Sequence, residues 1–232
     1  MKVIYWSDYA CPYCYIGEQR LRKAAKMLGM ELELEMKAFQ LDPGADVVCH
    51  GETLDRFARK YGLSKEAAMQ RIKQISALGR AEGIDFKYAT TRFTNTMDAH
   101  RLTKFVQDTY PELADALIEK LYHAYFCANQ ELADHKVLLD IAESCGLKRD
   151  DIHSILESDK YKDVVLAEEQ EASSNDIHAV PLFIVNDRYV LSGAQPFDVM
   201  KSVLEKARND IAGIQAVHGM VCGPDGCYIG DR

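Results

Sequence analysis

No run in this chain approaches the roughly 18 consecutive apolar residues of a membrane-spanning helix, so such a segment is not expected. The first apolar run, Val3-Ile4-Tyr5-Trp6, ends at Ser7-Asp8. A secretory leader needs an apolar core of about 7–15 residues, so none is expected here. An excess of positive charge is missing as well. Lys and Arg number 28 against 36 Asp and Glu, a net charge of −8. That balance argues against nucleic acid and against an anionic membrane surface as partners. Internal repeats and low-complexity segments are also lacking. The expected setting is the cytoplasm, where thiols stay reduced. The seven cysteines are therefore read as reactive and buried thiols rather than a disulfide framework.

What remains is ordinary for a folded protein: 47 % apolar and 28 % charged residues over 232 positions. A chain of this length buries roughly 70 % of its unfolded surface, enough for a core without covalent staples. One large domain, or one domain carrying an insertion, fits the length.

The feature that carries chemistry is Cys11-Pro12-Tyr13-Cys14. It follows a short apolar strand pattern and opens a helical one. Cys11 thus falls at a helix N-terminus, where free N–H groups and the positive end of the helix dipole favour a thiolate, the form that attacks disulfides. Cys14 lies one helical turn on and can close a disulfide with it. Pro12 suits the first turn, where its missing N–H is not needed. A zinc site is the competing reading, with Cys222 and Cys227 as further ligands. The strand-to-helix context favours redox chemistry, and no metal is expected.

Residues 2–7 read as a buried strand, and 12–28 as a helix with Leu21, Ala24, Ala25 and Leu28 on one face. Gly29 stops it. Glu31 to Met36 alternates strictly, as a strand with one wet face does. From about residue 50 to 157 the periodicity is helical throughout, with Ser64 and Thr94-Asn95-Thr96 as helix starts, Pro111 opening another helix, and Gly146 as a stop. A further helix is expected over about 159–174. Strand character returns in Pro181 to Val185 and Arg188 to Leu191, joined by Asn186-Asp187 as a tight turn. Pro196 opens a last helix. The expected fold class is α/β, a thioredoxin fold of four mixed strands with a large all-helical insertion. Its limits are read as 1–45 and 158–212 for the thioredoxin-like domain and 46–157 for the insertion. Residues 213–232 form a tail.

That tail holds the second cysteine pair, Cys222-Gly223-Pro224-Asp225-Gly226-Cys227. Gly-Pro-Asp-Gly is turn chemistry that brings the two thiols near each other. A redox relay, a local clasp disulfide and half of a zinc site all remain open for it. Cys145 and Cys127 read as buried and inert, and Cys49 as a loop thiol. Asp8 reads as a strand end or a proton-transfer group, His100 as structural, and His178 as a neighbour of the pair.

Taken together, six motifs resemble one family. They are Asp8-x-x-Cys11-Pro12-x-Cys14-Tyr15-Ile16-Gly17, Phe39-Gln40-Leu41-Asp42-Pro43, Asn95-Thr96-x-x-Ala99-His100-Arg101, Ala124-Tyr125-Phe126, Ala179-Val180-Pro181-Leu182-Phe183 and Ser192-Gly193-Ala194-Gln195-Pro196. They span about residues 3–207. The chain resembles the cytoplasmic DsbA-like oxidoreductases of the FrnE type, relatives of the 2-hydroxychromene-2-carboxylate isomerases and kappa-class glutathione transferases. The resemblance implies Cys11, Cys14 and Pro181 as catalytic residues, with a cis Val180-Pro181 bond beside the pair. It implies Val180, Pro12, Tyr13, Ser192 and Gln195 as substrate-binding, the Ser192–Gln195 segment holding glutathione by analogy. The isomerases and kappa transferases have serine or a single residue where this chain has Cys11, so two cysteines point to dithiol chemistry. The Pro-Tyr middle pair matches glutaredoxins and keeps glutathione open as a co-substrate.

The reading is a protein-disulfide oxidoreductase acting on protein disulfides or small thiols, with no tightly bound cofactor. A glutathione-dependent isomerase or transferase acting on a small electrophile, and a chaperone-like binding module, are the alternatives. A homodimer is compatible with the family.

Overall fold

A computed structural model describes residues 1–209 in full and residues 215–218, 220–223 and 226–229 as backbone. The chain forms two compact units, Met1–Leu41 with Glu168–Arg232, and Asp42–Ala167.

The first unit is built on β1 (Lys2–Ser7), α1 (Pro12–Met27), β2 (Glu33–Ala38), β3 (Leu182–Val185), β4 (Tyr189–Ser192), α9 (Phe197–Asn209) and β5 (Gln215–His218). The strand order is β2-β1-β3-β4-β5. β1 runs parallel to β2 and antiparallel to β3, and β3 is antiparallel to β4. This is the expected four-stranded mixed sheet. The tail adds to it: β5 lies parallel to β4, and β6 (Met220–Gly223) pairs with β7 (Gly226–Ile229) as a separate hairpin. The tail segment is too short and glycine-rich to show strand periodicity, so its strands were not legible.

Local chemistry explains most boundaries. α1 ends where Gly29 takes φ +62° and Met30 N–H reaches back to the Ala25 carbonyl at 2.9 Å, a left-handed stop that glycine adopts without strain. Asn186 and Asp187 both have positive φ, 49° and 54°, and Arg188 N–H closes the turn on the Val185 carbonyl at 3.1 Å, so three residues separate the paired Val185 and Tyr189. β2 begins two residues later than its alternation suggests. Its parallel partner sets the limits, Lys2 opposite Glu33 and Ser7 opposite Ala38.

β2 is an edge strand, and acidic side chains from α8 (Lys162–Ser174) occupy its end. Ala38 N–H donates to Glu168 at 2.7 Å and Gln40 N–H to Glu169 at 3.1 Å. Lys37 pairs with Glu171 at 2.6 Å. The second half of α8 therefore belongs with the sheet, and the later unit boundary falls inside α8 rather than at residue 158. Capping an open edge in this way removes a template for foreign strands.

The second unit is helical: α2 (Thr53–Tyr61), α3 (Lys65–Ala81), a single 3-10 turn at Tyr88–Thr90, α4 (Met97–Thr109), α5 (Pro111–Phe126), α6 (His135–Ser144), α7 (Arg149–Leu156) and the start of α8. Ser64 caps α3 by accepting from Ala67 N–H at 3.2 Å. At α4 the capping oxygen comes from Asn95, which accepts from Met97 N–H at 2.8 Å. Fully buried Leu102, Leu117, Leu121, Phe126, Leu138 and Ile152 fill the centre. No helix among the described residues is long and apolar enough to cross a membrane.

A polar lock joins α4, α6 and the end of α7. Arg101, only 4 % exposed, pairs with Asp98 at 2.6 Å and donates to the carbonyls of Ile155, Ser158 and Lys160. These carbonyls sit at and just beyond the end of α7, where regular i to i+4 helical bonding stops. His135 bridges Asp98 at 2.9 Å and Glu157 at 3.3 Å. Burial lowers its pKa, but the two carboxylates outweigh burial and raise it above the ordinary 6.5. A raised folded value means that the bridge stabilises the protonated state. The stability difference between wild type and His135→Gln is therefore expected to be full below about pH 6.5 and to fade as pH rises through the higher folded value. Urea unfolding across pH checks this, and a flat difference contradicts it.

Candidate active site

Cys11 is the residue just before α1, with extended backbone (φ −95°, ψ 112°), and Pro12 follows as the first helical residue. Cys11 N–H donates to the Asp8 carbonyl at 3.0 Å, and Cys14 N–H to the Cys11 carbonyl at 3.2 Å. This turn folds both thiols onto the end of β1. Both are free and fully buried.

The opposite wall is the start of β3. The Val180–Pro181 peptide is cis. The Cys11 thiol lies 3.8 Å from the Val180 carbonyl, within reach of a weak sulfur hydrogen bond. Gly17 lets α1 come this close, since a Cβ there would stand 3.2 Å from both Pro181 Cγ and Phe183 Cζ. Gly193, at φ +82°, donates its N–H to the Pro181 carbonyl at 2.7 Å. Arg20 from α1 donates to the carbonyls of Ala194 and Gln195, each at 3.1 Å.

The structure thus brings Cys11, Cys14, Val180 and Pro181 together. Pro12 and Tyr13 are buried in the first turn of α1. Ser192 sits in the β3–β4 ladder opposite Leu182. Gln195 is 3 % exposed and donates its amide to the Ser192 carbonyl at 2.8 Å, so this amide is turned inward. His178 is exposed and 3.8 Å from Asp176. His100 is buried in α4. Cys222 and Cys227 are backbone partners across β6 and β7, and their side chains lie outside the described residues.

The remaining thiols differ in setting. Burial pushes Cys127 up to about 11. Cys145 is partly exposed rather than buried, because it caps the C-terminus of α6 instead of lying within its apolar stripe. The Cys49 thiol donates to the Gly51 carbonyl at 3.0 Å. Among the described residues no three His, Cys, Asp or Glu side chains gather into a metal-holding group.

Three residues under the pair carry signals that sequence reading missed or left open. The Asp8 carboxylate is buried and accepts from Ala10 N–H at 3.3 Å and Leu41 N–H at 2.8 Å. It ties the cysteine loop to the chain beyond β2. Ser7 is fully buried and hydrogen-bonded to Cys14. Burial pushes the Cys14 thiol well above the ordinary range, and the hydrogen bond and charge of Cys11 add to this. Ser7 and the Asp8 amide act against it. Deeper in, Glu18 is 1 % exposed. It accepts from the Tyr5 hydroxyl at 3.1 Å and from Arg22 at 2.8 and 2.9 Å. Burial likewise pushes the Tyr5 phenol well up, so it stays a neutral donor. A glutamate in the first half of a charged helix gives no hint of this burial. The signal available was a tyrosine in the middle of a central strand, whose hydroxyl needs a partner.

With this geometry in place, relatives can be considered. The model of the DSBA-like thioredoxin domain matches residues 2–205. The chain belongs to that family. A Bacillus subtilis relative, the uncharacterized protein YwbO, is 28 % identical over 211 residues, covering 88 % of this chain and 94 % of its own length. The crystal structure of probable DsbA oxidoreductase SCO1869 from Streptomyces coelicolor is similar with a TM-score of 0.84 and 30 % identity, covering all of both chains. A 2-hydroxychromene-2-carboxylate isomerase shares the fold, with a TM-score of 0.68 and 16 % identity over 92 % of this chain and all of that one. Such breadth within one fold puts the weight on the site residues of this DSBA-like chain.

The Glu18 network predicts an order of stabilities. Glu18→Ala leaves the Tyr5 hydroxyl buried without its acceptor and breaks the Arg22 pair, at a cost of about 3 kcal/mol. Tyr5→Phe removes one donor and costs about 1 kcal/mol. Denaturant unfolding measures both, and equal costs would show that the Arg22 pair contributes nothing.

Proposed function

We propose that this protein is a thiol–disulfide oxidoreductase in which Cys11 is the attacking thiol and Cys14 the resolving one. The observation that carries the reading is the pair itself. Two free thiols lie one helical turn apart at the start of α1, and that of Cys11 faces the Val180 carbonyl. Membership in the DSBA-like family supports the same class of chemistry.

In the reducing direction, the Cys11 thiolate attacks one sulfur of a substrate disulfide. The substrate bond breaks, one thiolate departs, and a mixed disulfide forms. Cys14, as thiolate, then attacks the Cys11 sulfur and releases the second substrate thiol. Two electrons pass to the substrate and the pair becomes a disulfide, which an external dithiol reduces again. Both sulfurs are fully buried in this conformation, so a substrate reaches Cys11 only after the covering groups move. Extended peptide segments suit the site, because the chain around Val180 offers backbone groups beside the pair.

The tail pair is read as a second dithiol. Cys222 and Cys227 are directly opposed in the β6–β7 backbone register, which suits a local disulfide. As a relay it exchanges with the Cys11–Cys14 pair; as a clasp it only joins β6 to β7.

Reduction of insulin disulfides by dithiothreitol is expected in wild type and lost in both Cys11→Ser and Cys14→Ser. Inactive wild type, with glutathione binding that survives Cys14→Ser, would replace this reading with a glutathione-dependent isomerase or transferase. The Cys222→Ser, Cys227→Ser double variant is expected to slow reductant-dependent turnover if the tail pair is a relay. An unchanged rate assigns it to the clasp.

A further inference from the structure

We propose that Ser7 is a catalytic residue of the resolving step, its hydroxyl donating a hydrogen bond to the Cys14 thiolate. The inference rests on the dithiol reading and assigns a residue that the cysteine motif does not contain.

The placement follows from the strand. Side chains two apart on a strand share a face, so Ser7 stands on the same face of β1 as Tyr5. That face looks onto α1, because the Tyr5 hydroxyl reaches Glu18 of that helix. Cys14 lies in the first turn of α1, and the turn from Asp8 to Cys11 folds that end of the helix back onto the end of β1. Ser7 is the last residue of β1 and has no exposed surface. A fully buried hydroxyl needs hydrogen-bond partners, and the strand face and the helix start bring the Cys14 sulfur within its reach.

The chemistry requires such a donor. To resolve a mixed disulfide, Cys14 must become an anion at a site with no solvent contact. An isolated buried anion is costly unless preset donors face it. Cys11 disfavours ionisation of Cys14, whereas the Ser7 hydroxyl and the Asp8 amide favour it. The Asp8 carboxylate accepts from Ala10 and Leu41. Ser7 and the Asp8 amide thus form a two-donor cradle for the thiolate. The proton that leaves Cys14 passes to the substrate thiolate released in the first step, so charge and atoms balance. Once the Cys11–Cys14 bond forms, the sulfur is neutral and the cradle loses most of its hold. The donors therefore act on the attacking state rather than on the product.

The test uses full-length reduced protein and an aromatic disulfide reagent whose two thiol products are coloured. Attack by Cys11 releases the first equivalent and resolution by Cys14 the second. In Ser7→Ala the second release is expected to slow about tenfold at neutral pH, the scale of a lost hydrogen bond to a charged group. Its pH midpoint moves upward, while the first release is unchanged. Ser7→Thr, which keeps the hydroxyl, restores the second release. An unchanged rate and midpoint in Ser7→Ala overturn the proposal. Should Ser7→Ala fail to fold, Ser7→Gly removes the same hydroxyl and is read in the same way. Wild type that releases one equivalent only, with no Cys11–Cys14 disulfide by mass, refutes the dithiol reading itself. A two-equivalent wild type with an unaffected Ser7→Ala refutes the serine alone.

Discussion

Helix α1 can lie against the start of β3 because residue 17 has no side chain. Only about 3.2 Å separates the position of a Cβ on Gly17 from Pro181 and Phe183, so any larger residue makes these neighbours or the helix give way. That contact sets how far the cysteine turn stands from Val180 and Pro181. The other contacts around it act on the same alignment. Gly193 holds the Pro181 carbonyl, and Arg20 reaches from α1 to the two carbonyls that follow Gly193. Tyr5 and Phe183 stack at 5.5 Å between neighbouring strands beneath. Helix, proline segment and β4 loop are thus held by close packing, backbone hydrogen bonds and ring stacking, with the Phe183 ring common to the first and the last.

Acidic residues do much of the structural work in the first unit. Asp8, Glu168 and Glu169 each accept from backbone N–H groups that have no strand partner, and Glu18 neutralises Arg22 while holding Tyr5. Net negative charge is usually read as a property of the surface. Here part of it is internal, used where a carboxylate can satisfy a buried or edge N–H more strongly than a neutral acceptor.

The elements that sequence reading located are those with local causes. Ser64 caps α3, Gly29 stops α1, and Asn186-Asp187 turns the β3–β4 hairpin, each through its own backbone preference. The cysteine pair is visible for a similar reason, since its spacing and its place between strand and helix can be read within a few residues. What escaped notice depends on distant partners. The limits of β2 follow β1, and β5 exists through its pairing with β4. Glu18 and Glu168 look like ordinary residues of charged helices, and only tertiary packing turns them onto Tyr5 and Ala38. Ser7 reads as a polar stop to a strand. Its burial becomes visible once α1 is folded over it.

The two thiols of the pair meet different physical demands, and the local structure treats them differently. Cys11 stands just before the helix, with extended backbone and its thiol toward the Val180 carbonyl. Cys14 lies inside the first turn, where burial opposes its charge. The second thiol therefore depends on its surroundings to ionise. That dependence lets resolution be tuned from outside the motif, by whatever the end of β1 presents to the helix. In this chain it presents the Ser7 hydroxyl and the Asp8 amide. A strand ending in an apolar residue would pack equally well and leave the second thiol with one donor fewer.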